Sequence, residues 1–218
     1  MKNKFMHLIV ERDYKIMKKL RYYYGTMSSM KSSTLLMKAH QFEEAGCKVF
    51  LLKPSFDTRD SGVIKSRAIN HSKECITFNK NDNLIDLFDK NIKKNINEND
   101  RAVLFFDEVN FMTSIQVKEI WVLSKYRNID IFCYGLKLDY KNDFFESAIE
   151  FWRLADTKEE IKSMCSKCSN KASTHLRSVN GKFIFEGESE IVGDVIGEER
   201  YISVCQKCWH NAYVLQNK

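Results

Sequence analysis

A chain that passes from a β-prone stretch straight into Gly25, Thr26, Met27, Ser28, Ser29, Met30, Lys31, Ser32 and Ser33, and then into helical periodicity, has few folds open to it. Upstream stand Leu20, Tyr22, Tyr23 and Tyr24; downstream, Leu35, Leu36, Ala39 and Phe42 recur at helical spacing, with Gly46 as a natural stop. Strand, loop and helix in that order frame a phosphate-binding loop, GxxxxGK[ST]. In such a loop backbone amides and a helix N-terminus cradle phosphates, the Lys bridges them and the hydroxyl holds Mg²⁺. Gly25, Lys31 and Ser32 stand in place, but the second glycine is Met30. Glycine is favoured there because the loop winds around phosphate with unusual backbone angles and no room for a Cβ. The stretch alone leaves three readings open: a Ser-rich turn before an ordinary helix, a kinase or NTPase that tolerates Met30, or a descendant with weakened nucleotide chemistry.

The rest of the chain narrows the fold. Residues 47–52 form a buried-strand pattern ending at Lys53 and Pro54, residues 102–106 a second that leads into Asp107 and Glu108, and residues 129–134 a third. Helical patterns lie around residues 84–92 and 115–123. Strands apolar on both faces that alternate with helices predict an α/β fold, a P-loop parallel sheet flanked by helices. The strand beside a phosphate loop commonly ends in an acidic residue near the bound metal, and Asp107 and Glu108 fit that place. Residues 1–18 read as an N-terminal extension, a short amphipathic helix or a frayed end, and residues 19–150 as the nucleotide-binding domain. From about Phe151 the character changes to a helix-like segment over 155–164 and then a Cys- and Gly-rich region, a smaller domain over 151–218 with strands near 182–185 and 201–204.

With 218 residues, 44% hydrophobic, the chain can bury a real core plus a small appendage. No apolar run approaches the roughly 20 residues of a membrane span, and the basic N-terminus lacks a signal-peptide core, so a cytoplasmic protein is expected. The formal charge of +6 is modest, and Lys90, Lys93 and Lys94 are interleaved with Asn and Ile, the pattern of a solvated face rather than a nucleic-acid stripe. Of seven cysteines, Cys165 and Cys168 make one CxxC and Cys205 and Cys208 another, 36 residues apart. Two such knuckles can close a tetrahedral Cys₄ site for structural zinc, with His210 as a substitute ligand and a redox pair as the competing reading. Cys47, Cys75 and Cys133 read as ordinary buried thiols.

Taken in order, these features resemble the type II (cytosolic, zinc-containing) thymidine kinases over residues 19–213. The family's GxMxSGKS loop is matched by Gly25, Met27, Ser29, Lys31 and Ser32, and its KPxxDxR by Lys53, Pro54, Asp57 and Arg59. Its SR is Ser66 and Arg67, its DExQF is Asp107, Glu108, Val109, Asn110 and Phe111, and its YGL is Tyr134, Gly135 and Leu136. Asp139, Tyr140 and Phe145 follow the DFxxxxF pattern; Leu154, Ala155, Asp156, Glu159 and Glu160 follow LADxxEE; residues 199–205 follow ERYxSVC before the last knuckle.

The resemblance implies transfer of the ATP γ-phosphate to the 5′-hydroxyl of thymidine or deoxyuridine, with Mg²⁺ accompanying ATP and structural Zn²⁺ in a lasso domain. Gly25, Ser29, Lys31, Ser32 and Ser33 would bind phosphate, with Asp57 and Arg59 lining that end; Ser32 and Asp107 would serve Mg²⁺; Glu108 would be the general base. Met27, Phe111, Leu136, Tyr140, Phe145, His175 and Tyr201 would surround the nucleoside, although for each apolar member ordinary core packing is a competing role. Thymidine triphosphate as feedback inhibitor and a homotetramer or homodimer are further implications. The chain departs from the family pattern at Met30, Asn110, Tyr140, His175 and Ile196, all near the expected site. The alternative is therefore a catalytically weakened or inactive nucleotide-binding relative. A zinc ribbon gripping nucleic acid ranks last, because Lys167, Lys171, Arg177 and Lys182 are matched by Glu186, Glu188, Glu190, Glu198 and Glu199.

Overall fold

The structure is a computed structural model that describes residues 18–55, 62–66, 68–187 and 199–216. The N-terminal extension, Asp57, Arg59, Arg67 and Ile196 lie outside the described residues. Its centre is a six-stranded sheet whose strands all run parallel. In chain order these strands are β1 (Leu20–Gly25), β2 (Lys48–Pro54), β5 (Ile76–Phe78), β6 (Ala102–Phe106), β7 (Asp130–Leu136) and β8 (Thr157–Ile161), arranged across the sheet as β5-β2-β6-β7-β1-β8. Between β2 and β5 the chain makes a hairpin, β3 (Val63–Ser66) and β4 (His71–Glu74).

Side-chain alternation sorts the strands' residues onto two faces. Val103, Phe105, Phe132 and Tyr134 pack with Leu35, Leu36 and Ala39 of α1 (Lys31–Glu44) and with Ile64 of the hairpin. Leu20, Tyr22, Leu104, Phe106, Ile131 and Cys133 face the opposite side. There they meet α2 (Leu84–Leu87, continued by a wide turn Phe88–Ile92), α3 (Ser114–Tyr126) and α4 (Glu146–Leu154). Both faces are covered, which is why the central strands read as unbroken apolar runs.

One sequence expectation is overturned. Residues 155–164 are not helical: α4 ends at Leu154 and Thr157–Ile161 is β8, the edge strand beside β1. The parallel sheet therefore continues past Phe151. Beyond β8, a three-stranded antiparallel sheet is formed by β9 (Thr174–Val179), β10 (Lys182–Ile184) and β11 (Glu199–Val204), followed by α5 (Gln206–Gln216). Its apolar side, Leu176, Ile202 and Val204, packs with the four knuckle cysteines and Trp209. No helix among the described residues is long and apolar enough to cross a membrane.

Candidate functional site

Strand β1 ends on Gly25 because a side chain there has no space. A Cβ would stand 2.3 Å from Ser29 Oγ and 2.7 Å from the Ile161 carbonyl oxygen. The chain then turns through Ser28 and Met30, both left-handed with φ of 59° and 64°. Glycine meets that demand freely; Met30 meets it with strain, its side chain turned outward at 59% exposure. Helix α1 follows with no side-chain cap, whereas α3 begins on a reciprocal capping box between Thr113 and Gln116. The first-turn amides of α1 are thus left without a side-chain acceptor, the arrangement that receives an anion. Lys31 reaches back across the loop, its Nζ donating to the Thr26 carbonyl at 2.8 Å. Ser33 Oγ shares a 2.6 Å hydrogen bond with Ser66 Oγ, tying the helix start to the hairpin.

The carboxylates arrive from β6, which is separated from β1 in the sheet by β7. Asp107 is buried, and the Ser32 hydroxyl hydrogen-bonds its carboxylate. Its Oδ1 is buried without a hydrogen-bond partner among the described residues. Burial raises the Asp107 pKa, opposed by Ser32 and by the cations of Lys31 and Lys53. Burial also lowers that of Lys31, against the pull of Glu108 and Asp107. An orphaned carboxylate oxygen beside a serine hydroxyl is a hard-oxygen donor set, which fits a divalent cation such as Mg²⁺. Glu108 adopts a left-handed φ of 51° and opens a short 3₁₀ turn, Val109–Phe111. That turn packs over Gly135, where a Cβ would meet Val109 Cγ2 at 2.8 Å and the Asn110 amide nitrogen at 3.0 Å. The Asn110 side chain is committed to this junction, Oδ1 accepting from the Leu136 amide at 3.0 Å.

The expected nucleoside residues lie around the ends of β1 and β7 and on the small sheet. Leu136 and Phe145 belong to the main core, with Met27 packed against it, and Phe111 meets Phe145 edge-on at 6.4 Å. Tyr140 is buried, donates from its hydroxyl to the Glu186 carbonyl at 2.8 Å and lies beneath the Arg177 guanidinium, 5.2 Å from its ring centroid. His175 meets the Tyr201 ring at 6.0 Å. Lys53, Thr26 and Ser203 fall within the sequence motifs but were given no site role there. Lys53 is 3% exposed and donates to the Val63 carbonyl at 3.1 Å; a lysine closing an apolar strand was its signal. Ser203 of β11 donates to the Met27 carbonyl at 2.6 Å, and Thr26 Oγ1 shares a 2.6 Å bond with Ser163 Oγ just before the first knuckle, so the loop after β1 is fastened to the cysteine-bearing region. The backbone carbonyl of Thr26, rather than its side chain, is what Lys31 seeks, and nothing in the sequence marks it.

The sulfurs of Cys165, Cys168, Cys205 and Cys208 all lie within 4.8 Å of one another, and two pairs are separated by 3.5 and 3.6 Å. Tetrahedral zinc with bonds of ~2.3 Å sets its sulfurs roughly 3.8 Å apart, so the cluster could hold a metal such as zinc. Charge supports this. Although burial acts to raise it, Cys165 is drawn down to about 6 by the backbone amides of Cys205, Lys167 and Cys168. Cys208 is pushed up to about 12 by its hydrogen bond to Cys168 and by the other sulfurs. The four sulfurs cannot all ionise this close together on their own, and a bound cation is what would hold all four as thiolates.

Two comparisons bear on this geometry. A family model described as thymidine kinase matches residues 18–209. Proteins named thymidine kinase from Streptococcus pyogenes serotype M6 and Streptococcus agalactiae serotype Ia are 36% and 35% identical to the chain. Each alignment covers 89% of this chain and 98% of the relative.

Proposed function

The chain belongs to the thymidine kinase family, and from that premise we propose that it transfers the γ-phosphoryl group of ATP to the 5′-hydroxyl of thymidine or deoxyuridine. The observation that carries the proposal is the meeting of Lys31, Ser32, Asp107 and Glu108 at the uncapped start of α1. Magnesium bound with ATP would supply charge neutralisation at the phosphates, and Ser32 and Asp107 are the residues that would hold it. Lys31, parked on the Thr26 carbonyl, would turn to the transferring phosphoryl and stabilise the charge that develops there. Glu108 would take the proton of the 5′-hydroxyl, and its placement at the partly exposed end of β6 suits a base that must meet a second substrate. Ser29 and Ser33 flank the phosphate end, where Asp57 and Arg59 are assigned from the family pattern.

The acceptor nucleoside would occupy the space between Met27, Phe111, Leu136, Tyr140, Phe145, His175 and Tyr201. We assign Zn²⁺ to the four cysteines as a structural ion, residues 19–150 to nucleotide binding and residues 151–218 to the zinc-bearing lasso unit, with β8 lent to the main sheet. A cytoplasmic location, assembly as a homotetramer or homodimer and feedback by thymidine triphosphate follow from the family alone. No observation favours the weakened alternative: the Met30 side chain is largely exposed to solvent.

The test is kinetic. Glu108→Gln should lower kcat by about 10²–10⁴-fold while leaving ATP affinity within a factor of two or so. A substitution without effect on kcat would remove Glu108 from the role of base.

A further inference from the structure

Three tyrosines are fully buried among the described residues, and two of them have partners for their hydroxyls. Tyr22 donates to the Leu136 carbonyl at 2.9 Å and Tyr140 to the Glu186 carbonyl at 2.8 Å. The third, Tyr134 on β7, buries its Oη with no hydrogen-bond partner among the described residues. Register fixes its neighbours. Phe106 of β6 pairs with Cys133 of β7, so the next residues along the two strands, Asp107 and Tyr134, come side by side. Both lie on the face that α1 covers: Tyr134 packs with Leu35 and Leu36, and the Ser32 hydroxyl hydrogen-bonds Asp107. On one side the Tyr134 ring is held by Tyr23, its partner on β1, stacked at 4.8 Å. Beyond Asp107, Lys53 follows Leu52, the β2 partner of Phe106, and brings its cation to the same row.

A buried polar atom without a partner destabilises a fold, and here two such atoms, Tyr134 Oη and Asp107 Oδ1, belong to neighbouring residues. Burial pushes the Tyr134 phenol well above its ordinary range, so the hydroxyl stays protonated, a neutral donor next to an acceptor. We propose that Tyr134 is a positioning residue whose hydroxyl, through one shared water, holds the Asp107 carboxylate in the orientation that serves the divalent cation accompanying ATP. The water would accept from Tyr134 Oη and donate to Asp107 Oδ1. A carboxylate oxygen accepts in two directions, so Oδ1 keeps a lone pair for the cation. Ligating carboxylates are held by such outer partners, and loss of one weakens metal binding. Tyr134 has this part only if Asp107 serves Mg²⁺, as proposed above.

The test is Tyr134→Phe, which keeps a ring to stack on Tyr23 and removes only the hydroxyl. ATP affinity is measured by calorimetry over a Mg²⁺ series, and Tm without metal or nucleotide, for the wild type, Tyr134→Phe, Asp107→Asn and the double variant. Tyr134→Phe is expected to need about tenfold more Mg²⁺ to reach the same ATP affinity. It should bind ATP without metal as the wild type does, and melt at or above the wild-type temperature because the orphaned hydroxyl is gone. In the Asp107→Asn background the same change should add nothing, since the carboxylate it acts through is absent. An unchanged Mg²⁺ requirement in Tyr134→Phe would overturn the proposal. A lowered Tm with ATP binding weakened at every Mg²⁺ concentration, zero included, would overturn it in favour of a structural role. An equal loss in the Asp107→Asn background would overturn the route through Asp107. Wild-type ATP binding that responds neither to Mg²⁺ nor to Asp107→Asn would refute the metal assignment of Asp107 itself, and this role of Tyr134 with it.

Discussion

At the scale of single residues, the loop between β1 and α1 turns on backbone angles more than on side chains. Met30 occupies a left-handed position, φ 64° and ψ 29°, that glycine adopts without penalty. An L-residue with a Cβ pays about 1–2 kcal/mol to stay there. Met30→Gly should therefore stabilise the protein by about 1 kcal/mol, raising Tm by roughly 2–4 °C for a chain of this size, without lowering kcat. A fall in Tm on calorimetric scanning would show that the Met side chain contributes packing that outweighs the strain. That Lys31, Ser32, Asp107 and Glu108 come together in the fold was legible from residue type and spacing. Thr26 and Ser203 were not, because each acts through a hydrogen bond that only the fold creates.

At the scale of elements, the decisive junction is the turn after β6. Val109 and Asn110, which directly follow Glu108, are pressed against Gly135 of β7, and a Cβ there would approach Val109 Cγ2 to 2.8 Å. Gly135→Ala should cost about 1–3 kcal/mol through overpacking and lower kcat together with stability, since the displaced turn carries Glu108. Unaltered melting and turnover would mean that the turn yields freely and does not position the carboxylate. The central strands β6 and β7 were readable because burial on both faces makes them almost wholly apolar, and β2 because its middle residues 49–52 are all apolar. Strand β8 was not: Thr157, Lys158, Glu159, Glu160 and Ile161 lack that signature because the strand pairs only with β1 and keeps charges at the open edge. Strand β9 was missed for a related reason, its polar face of His175 and Arg177 interrupting the apolar pattern.

At the scale of the molecule, the main sheet and the small cysteine-bearing sheet meet across the site. Ser203 to Met27, Thr26 to Ser163, Tyr140 to Glu186 and Trp209 Nε1 to the Tyr140 carbonyl at 2.9 Å are the fastenings. The cysteine cluster anchors the inner side of the small sheet, so metal removal should act at a distance. Chelation is expected to release one zinc per chain, lower Tm and raise KM for the nucleoside more than KM for ATP. Zinc release with no change in either KM would detach the small sheet from substrate binding. The central claim is tested most directly by incubating the purified chain with γ-labelled ATP, Mg²⁺ and a panel of nucleosides, and identifying labelled products. Label in thymidine 5′-monophosphate, abolished by Glu108→Gln, is the predicted result. Absence of label in every nucleoside at saturating ATP and Mg²⁺ would contradict the kinase reading.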